Sequence, residues 1–258
     1  MAIATRNARE IDSLRASNRI VAEALSLAKR SLKVGISLLE IDKMVEDFIL
    51  SQGARPAFKG LYGFPNSACL SLNSVIIHGI PTDYKLQEGD ILGIDIGVEK
   101  DGWFGDAAIT AGVGKISHSD QALIDCSRNV LFEGIESIRV GMHFKELSVI
   151  LQELIEGYGY VPLEDFCGHG IGRKPHEDPQ IPNYLKYGSA KQGPKIKEGM
   201  VFCIEPMICQ RSGKPRILAD AWSVVSEDGL NTSHYEHTVA IVGGKAEILS
   251  KEDENGKR

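Results

Sequence analysis

The chain repeats itself, and that repeat restricts its fold more than any other feature. Val34-Gly35-Ile36 recurs 106 residues on as Val140-Gly141-Met142. The flanks keep the register: Leu38, Glu40 and Ile41 become Phe144, Glu146 and Leu147, while Ile49 and Gly53 become Ile155 and Gly159. Upstream, Leu25 and Leu32 match Leu131 and Ile138. A second match follows at an offset of 110: Lys85-Leu86-Gln87-Glu88-Gly89 leads into Ile91 to Asp95, and Lys195-Ile196-Lys197-Glu198-Gly199 leads into Val201 to Glu205. In each copy a Lys-x-x-Glu-Gly turn precedes an apolar strand that ends on a carboxylate. Two copies are too few for a solenoid, which needs three or more. The pattern predicts one α/β (α+β) domain over 1–258. Its N-terminal half covers about 1–115 and its C-terminal half about 116–250, divided near 112–120, with a polar tail at 251–258.

Each copy carries two helices. Val21, Leu25, Ala28 and Leu32 make an apolar stripe over 19–33, with Lys29, Arg30 and Lys33 in the last turn and Gly35 as the stop. Ser37-Leu38-Leu39-Glu40 is a capping box that opens the next helix. Ile41, Val45, Phe48 and Ile49 form its buried face and Gly53 closes it.

The composition excludes several classes. Lys and Arg number 29 against 35 Asp and Glu, a net charge of −6. A DNA-binding surface needs a basic stripe, so none is expected. There is no apolar run of about 20 residues for a membrane helix. The first 21 residues have no apolar h-region, which argues against a secretory signal, and their Glu10 and Asp12 argue against a transit peptide. The five cysteines are odd in number and form no Cys-x-x-Cys pair. Free thiols suit a reducing compartment, so a cytoplasmic location is expected.

The chemistry sits on strands. With period two, Leu92, Ile94, Ile96 and Val98 face a core while Gly93, Asp95 and Gly97 face the other way, leaving room beside Asp95. A hairpin turning at Lys100-Asp101-Gly102, centred between Lys100 and Asp101, places Asp106 opposite Asp95. Facing carboxylates repel unless a cation lies between them, which suggests a divalent metal. Glu205 occupies the repeat position of Asp95, and Glu236 lies in another strand-like run, so four carboxylates from two halves can converge. Gly168-His169-Gly170-Ile171-Gly172-Arg173-Lys174-Pro175-His176 is too rich in glycine and proline for a helix and brings backbone close to both histidines. A phosphate loop is the weaker reading, because the Lys-Ser/Thr of that motif is missing. His78 ends a strand ahead of a turn. His118, His143, His234 and His237 receive no role.

Together these segments resemble the type I methionine aminopeptidases, over roughly Arg6 to Leu249. The residues that carry the resemblance are His78-Gly79-Ile80-Pro81, Gly89-Asp90-Ile91 with Ile94-Asp95, and Gly105-Asp106. They continue with Cys167-Gly168-His169-Gly170, His176-Glu177-Asp178-Pro179, Phe202-Cys203-Ile204-Glu205-Pro206-Met207 and Tyr235-Glu236-His237.

The resemblance implies a pita-bread fold of two pseudo-symmetric halves, each with helices packed on antiparallel strands. It implies two divalent cations (Co, Mn, Fe or Zn) bridged by Asp106 and Glu236, with Asp95 completing one site and His169 and Glu205 the other. The reaction would be removal of the N-terminal methionine from nascent proteins and peptides with a small second residue. A water activated by the cation pair would be the nucleophile. Glu205 would be the general base, His176 would stabilise the oxyanion, and His78 would contact the leaving amine. Phe64, Cys69, His78 and Trp222 are nominated by position for the methionine pocket. Partners would be nascent polypeptide N-termini near the ribosome, the enzyme being a monomer. The chain departs from the family pattern at Phe58, Gly97, Ala107-Ala108 and Pro175, none of them a ligand position. Two cations would also take the net charge from −6 to about −2.

Two other readings stay open on sequence. An Xaa-Pro aminopeptidase or dipeptidase shares the fold but usually carries a large extra N-terminal domain. A catalytically silent pita-bread binding module would have lost metal ligands.

Overall fold

The computed structural model describes residues 3–251. Residues 252–258 of the expected polar tail lie outside the described residues. Helix α1 spans Ala8–Ser31, and so begins well before the expected 19–33. The reason is a second capping box: the Asn7 side chain accepts from the Glu10 N–H while the Glu10 carboxylate accepts from the Asn7 N–H. Ile11 and Leu14 then carry the buried stripe back to that cap. Leu32 is the C-cap, and Lys33 lies beyond the helix.

Helix α2 spans Leu38–Ser51 on its Ser37–Glu40 capping box, as the sequence implies. Helix α3 (His118–Ser137) and helix α4 (Phe144–Gly157) open the second half. Helices α2 and α4 each have 14 residues. The Glu146 carboxylate accepts from the His143 N–H as Glu40 does from Ser37. Both preceding glycines, Gly35 and Gly141, have φ of 90°. Their N–H groups donate to Leu86 and Ile196 respectively, at 2.8 and 2.9 Å. Isolated bridges pair Ser37 with Lys85 and His143 with Lys195. The sequence repeat is therefore a repeat of hydrogen bonds.

The strands of the first half are β1 (Arg55–Pro56), β2 (Cys69–Leu72), β3 (Val75–Ile77), β4 (Ile91–Lys100) and β5 (Trp103–Gly112). The second half begins with β6 (Val161–Pro162), β7 (Cys167–Gly170), β8 (Glu177–Pro182), β9 (Val201–Ile204) and β10 (Met207–Cys209). It ends with β11 (Pro215–Ile217), β12 (Val224–Ser226), β13 (Ser233–His234), β14 (Glu236–Val242) and β15 (Lys245–Ile248). The main sheet runs β1-β4-β5-β14-β9-β7-β8, antiparallel throughout, with β2 also on β4 and β15 on β14. Helices α1 and α2 cover the β4–β5 side through Val21, Leu25, Ile41 and Val45. Helices α3 and α4 cover the β9–β14 side through Leu131, Leu147 and Leu151, which share a cluster with Phe202 of β9. No helix among the described residues is long and apolar enough to cross a membrane. All five cysteines are free.

Two local expectations need correction. The β4–β5 hairpin is centred between Asp101 and Gly102, with Lys100 paired to Trp103. Asp101 and Gly102 have φ of 52° and 76°, the pair of positive values that a two-residue type I′ turn requires. Asp95 therefore faces Ala108, and Asp106 faces Gly97. Asp95 also lies in the middle of β4, not at its end, whereas Glu205 does follow the last residue of β9.

The two halves join at β5 and β14, where the ladder is only two pairs long: Glu236 with Ala108 and His237 with Ala107. Threonine hydroxyls extend it at both ends. Thr238 Oγ1 donates to the Asp106 carbonyl at 2.7 Å and accepts from its N–H at 3.3 Å. Thr110 Oγ1 donates to the His234 carbonyl at 2.8 Å and accepts from its N–H at 3.0 Å.

Candidate metal centre

The register puts the acids in one row. Asp95 pairs with Ala108 and Ala108 pairs with Glu236, so all three side chains share a face of the sheet. Glu205 continues that row, one residue past the Ile204–His237 pair. Asp106 lies one row away, diagonal to Asp95 and not opposite it. Ala108 contributes only a methyl group between Asp95 and Glu236. The room expected beside Gly93 and Gly97 is already used, because a Cβ there would meet Ser71 at 3.3 Å and the Phe58 ring at 2.5 Å.

Donor atoms of Asp95, Asp106 and Glu236 lie within 4.8 Å of one another. His169 Nε2 is 3.7 Å from Glu205 Oε1 and 3.9 Å from Glu236 Oε1. His169 is placed by β7, whose glycines let strands close in: a Cβ at Gly168 would lie 2.4 Å from the Cys203 carbonyl, and one at Gly170 2.1 Å from that of Asp178. Its Nδ1 lies 3.0 Å from the Gly170 carbonyl, which leaves Nε2 free to face the acids.

The electrostatics suit a cation. Burial, and then the neighbouring acids, push Asp106, Glu205 and Glu236 well above the ordinary carboxylate range, and burial raises Asp95 as well. Burial holds His169 down to about 4, and so neutral and able to ligate. Asp95 Oδ1, Asp106 Oδ1 and Glu236 Oε1 are buried without a hydrogen-bond partner. Orphaned oxygens beside a neutral imidazole suit a divalent cation of hard to borderline character. Cys203 lies beside His169 and Glu236, but burial and the acids raise its pKa well above the usual thiol value, so it stays a thiol.

One cavity of about 820 Å³ gathers the predicted residues. Asp95, Asp106, His169, Glu205 and Glu236 line it, together with His78, His176, Phe64, Cys69 and Trp222. Phe64 and Trp222 meet edge to face at 5.2 Å, and Phe58 and Cys69 join the same apolar cluster. His176 is exposed, with its ring 4.5 Å from that of His169 and stacked with Tyr62 at 6.3 Å. His78 has φ of 58°, an uncommon conformation for a side-chain-bearing residue, and its ring packs on Phe166. Burial brings His78 down to about 4.

The sequence reading missed His234. It is 3% exposed, and its Nε2 lies 3.7 Å from Glu205 Oε2 and 3.9 Å from Glu236 Oε2. The available signal was its spacing, since residues i and i+2 of an extended segment share a face. The other three histidines lie in other settings: His118 starts α3, His143 caps α4, and His237 bonds Ser250 at 2.9 Å.

A sequence profile of metallopeptidase family M24 matches residues 12–242. A methionine aminopeptidase of Helicobacter pylori is 64% identical over 252 residues, spanning 97% of this chain and 100% of the relative. The crystal structure of methionine aminopeptidase from Thermotoga maritima superposes with a TM-score of 0.93 at 34% identity, over 97% of this chain and 100% of that one. Prolidase from Pyrococcus furiosus superposes at 0.79 with 25% identity, over 96% of this chain but 66% of its own. The pita-bread fold that the resemblance implied is the fold observed. With these donors on these strands, the chain belongs to metallopeptidase family M24 and, within it, to the methionine aminopeptidases.

Proposed function

We propose that this chain removes the N-terminal methionine from peptides and nascent proteins whose second residue is small, in the cytoplasm and as a monomer. The observation that carries the reading is the convergence of Asp95, Asp106, His169, Glu205 and Glu236 in a cavity shared with the Phe64–Cys69–Trp222 cluster. Those five residues would hold two divalent cations, with Asp106 and Glu236 shared between them. Glu236 suits the shared role, because it belongs to all three groups of possible ligands among the described residues. When bound, such cations supply a Lewis acid for the scissile carbonyl and a water acidic enough to attack near neutral pH.

The chain's own groups do the rest. Glu205, at the cavity wall, takes the proton of the attacking water. His176 reaches the developing oxyanion from the open side. His78 contacts the departing amine nitrogen. The apolar cluster holds the methionine side chain, and its soft, aromatic lining suits a thioether.

The test is a reconstitution series. Metal-stripped protein is given Mn, Fe, Co or Zn and assayed on Met-Ala-Ser, Met-Gly and Xaa-Pro peptides. Release of methionine, dependent on added metal, is expected from the first two. Folded protein that releases none with any of the four metals overturns the proposal, and strong preference for Xaa-Pro peptides moves it to the prolidase branch.

A further inference from the structure

We propose that His234 is a second imidazole ligand of the centre, bonding a divalent cation through Nε2 together with Glu205 and Glu236. The inference rests on the metallopeptidase reading above and extends it by one residue. His234 Nε2 is buried and has no hydrogen-bond partner among the described residues. Its distances to Glu205 Oε2 and Glu236 Oε2, 3.7 and 3.9 Å, are the same as those of His169 Nε2 to the Oε1 atoms of the same two acids. Each glutamate thus turns one oxygen to each ring.

These separations are too long for hydrogen bonds, which run about 2.7–3.2 Å. They fit two donors on one ion, since bonds of about 2.0–2.2 Å set neighbouring ligand atoms roughly 3–4 Å apart. The main chain that carries the ring is fixed on both sides. Thr110 Oγ1 holds both the N–H and the carbonyl of His234, and Met207 pairs with it from β10. The other proposed ligands besides His169 are carboxylates, so a second imidazole changes the character of the centre. It would shift preference from Mg and Mn toward Fe, Co, Ni and Zn, the ions that imidazole suits.

The experiment has two arms. In the first, Zn²⁺ and Mn²⁺ are titrated by calorimetry into metal-stripped wild type, His169→Ala, His234→Ala and His234→Gln, with circular dichroism checking that each is folded. Both His234 variants are expected to lose at least about tenfold in Zn²⁺ affinity, with a smaller loss for Mn²⁺. Wild-type Zn²⁺ affinity in His234→Gln would show that the ring only donates a hydrogen bond, and would overturn the proposal. In the second, a crystal structure of the Co²⁺-loaded wild type needs no variant. An anomalous peak about 2.0–2.3 Å from His234 Nε2 supports ligation, and a cation bound by the other five residues with Nε2 out of bonding range overturns it. Failure of the underlying reading looks different: wild-type protein would then bind no divalent cation at all, and His169→Ala would change nothing.

Discussion

Replacing Gly97 by alanine isolates one contact that shapes the proposed methionine pocket. Gly97 lacks the left-handed φ that would itself penalise a side chain, so the cost is packing alone. The new Cβ would stand 2.5 Å from Phe58 Cε1 and 2.9 Å from Cδ1 and Cζ, where ordinary contact begins at 3.4 Å. The ring must therefore withdraw by about 0.9 Å, the difference between 3.4 and 2.5 Å. Its backbone cannot follow, since the Ala57 N–H donates to the Gly97 carbonyl at 2.8 Å and Pro56 pairs with Val98. Phe64 and Cys69 share the ring's cluster and all three line the cavity, so a displaced ring disturbs the pocket itself. Overpacking of this kind costs about 1–3 kcal/mol, a Tm fall of roughly 2–10 °C in a chain of this size. Strain that falls on the bound state raises KM for Met-Ala-Ser instead, by roughly 5- to 150-fold over the same range. None of the five proposed ligands is replaced, so kcat is expected to change much less than KM. Thermal melts and steady-state kinetics read both effects, and Phe58→Leu in the Gly97→Ala background should recover most of the loss. An unchanged Tm and KM in Gly97→Ala, or strict additivity of the two substitutions, would refute the packing argument.

Two further outcomes are expected. In chelated protein the four acids keep folded-state pKa values above their unfolded ones, so above neutral pH the unfolded chain binds fewer protons and stability falls as pH rises. The buried histidines are neutral in both states there and cancel. Melts at pH 7, 8 and 9 in chelator should show that decline, and the same slope in metal-loaded protein would contradict it. His176→Ala is expected to cut kcat by roughly 10²–10³ at unchanged metal content by elemental analysis, and activity within tenfold of wild type would remove His176 from the reaction.

What the sequence disclosed, and what it hid, follow from how far each signal reaches along the chain. The duplicated Val-Gly and Lys-x-x-Glu-Gly segments are local, and they gave the paired helices and the strands that carry Asp95 and Glu205. The hairpin register is also local, but it hinges on which two residues take positive φ. Centring it one residue early set Asp106 against Asp95, when Asp101-Gly102 was the stronger turn signal. The start of α1 was missed through a cap at Asn7 that lies ahead of the obvious apolar stripe. His234 was hidden for a different reason. It belongs to no dense motif, and its place beside Glu205 and Glu236 is set by the joining of β5 to β14, a contact more than a hundred residues long in sequence. The cavity wall likewise depends on Phe58 lying over Gly97, which neither residue reveals alone.

The short join between β5 and β14 gives the centre a second meaning. Asp95 and Asp106 come from one half; His169, Glu205 and Glu236 come from the other. In the main sheet two backbone pairs and a threonine hydroxyl at either end join them, and β3 pairs antiparallel with β12 in a smaller sheet. A cation held by both sets is thus a clasp across the duplication. On the proposed reading, ion affinity and the seating of the two halves are thermodynamically linked: whatever binds the cation more tightly also holds Asp95 and Asp106 against His169, Glu205 and Glu236.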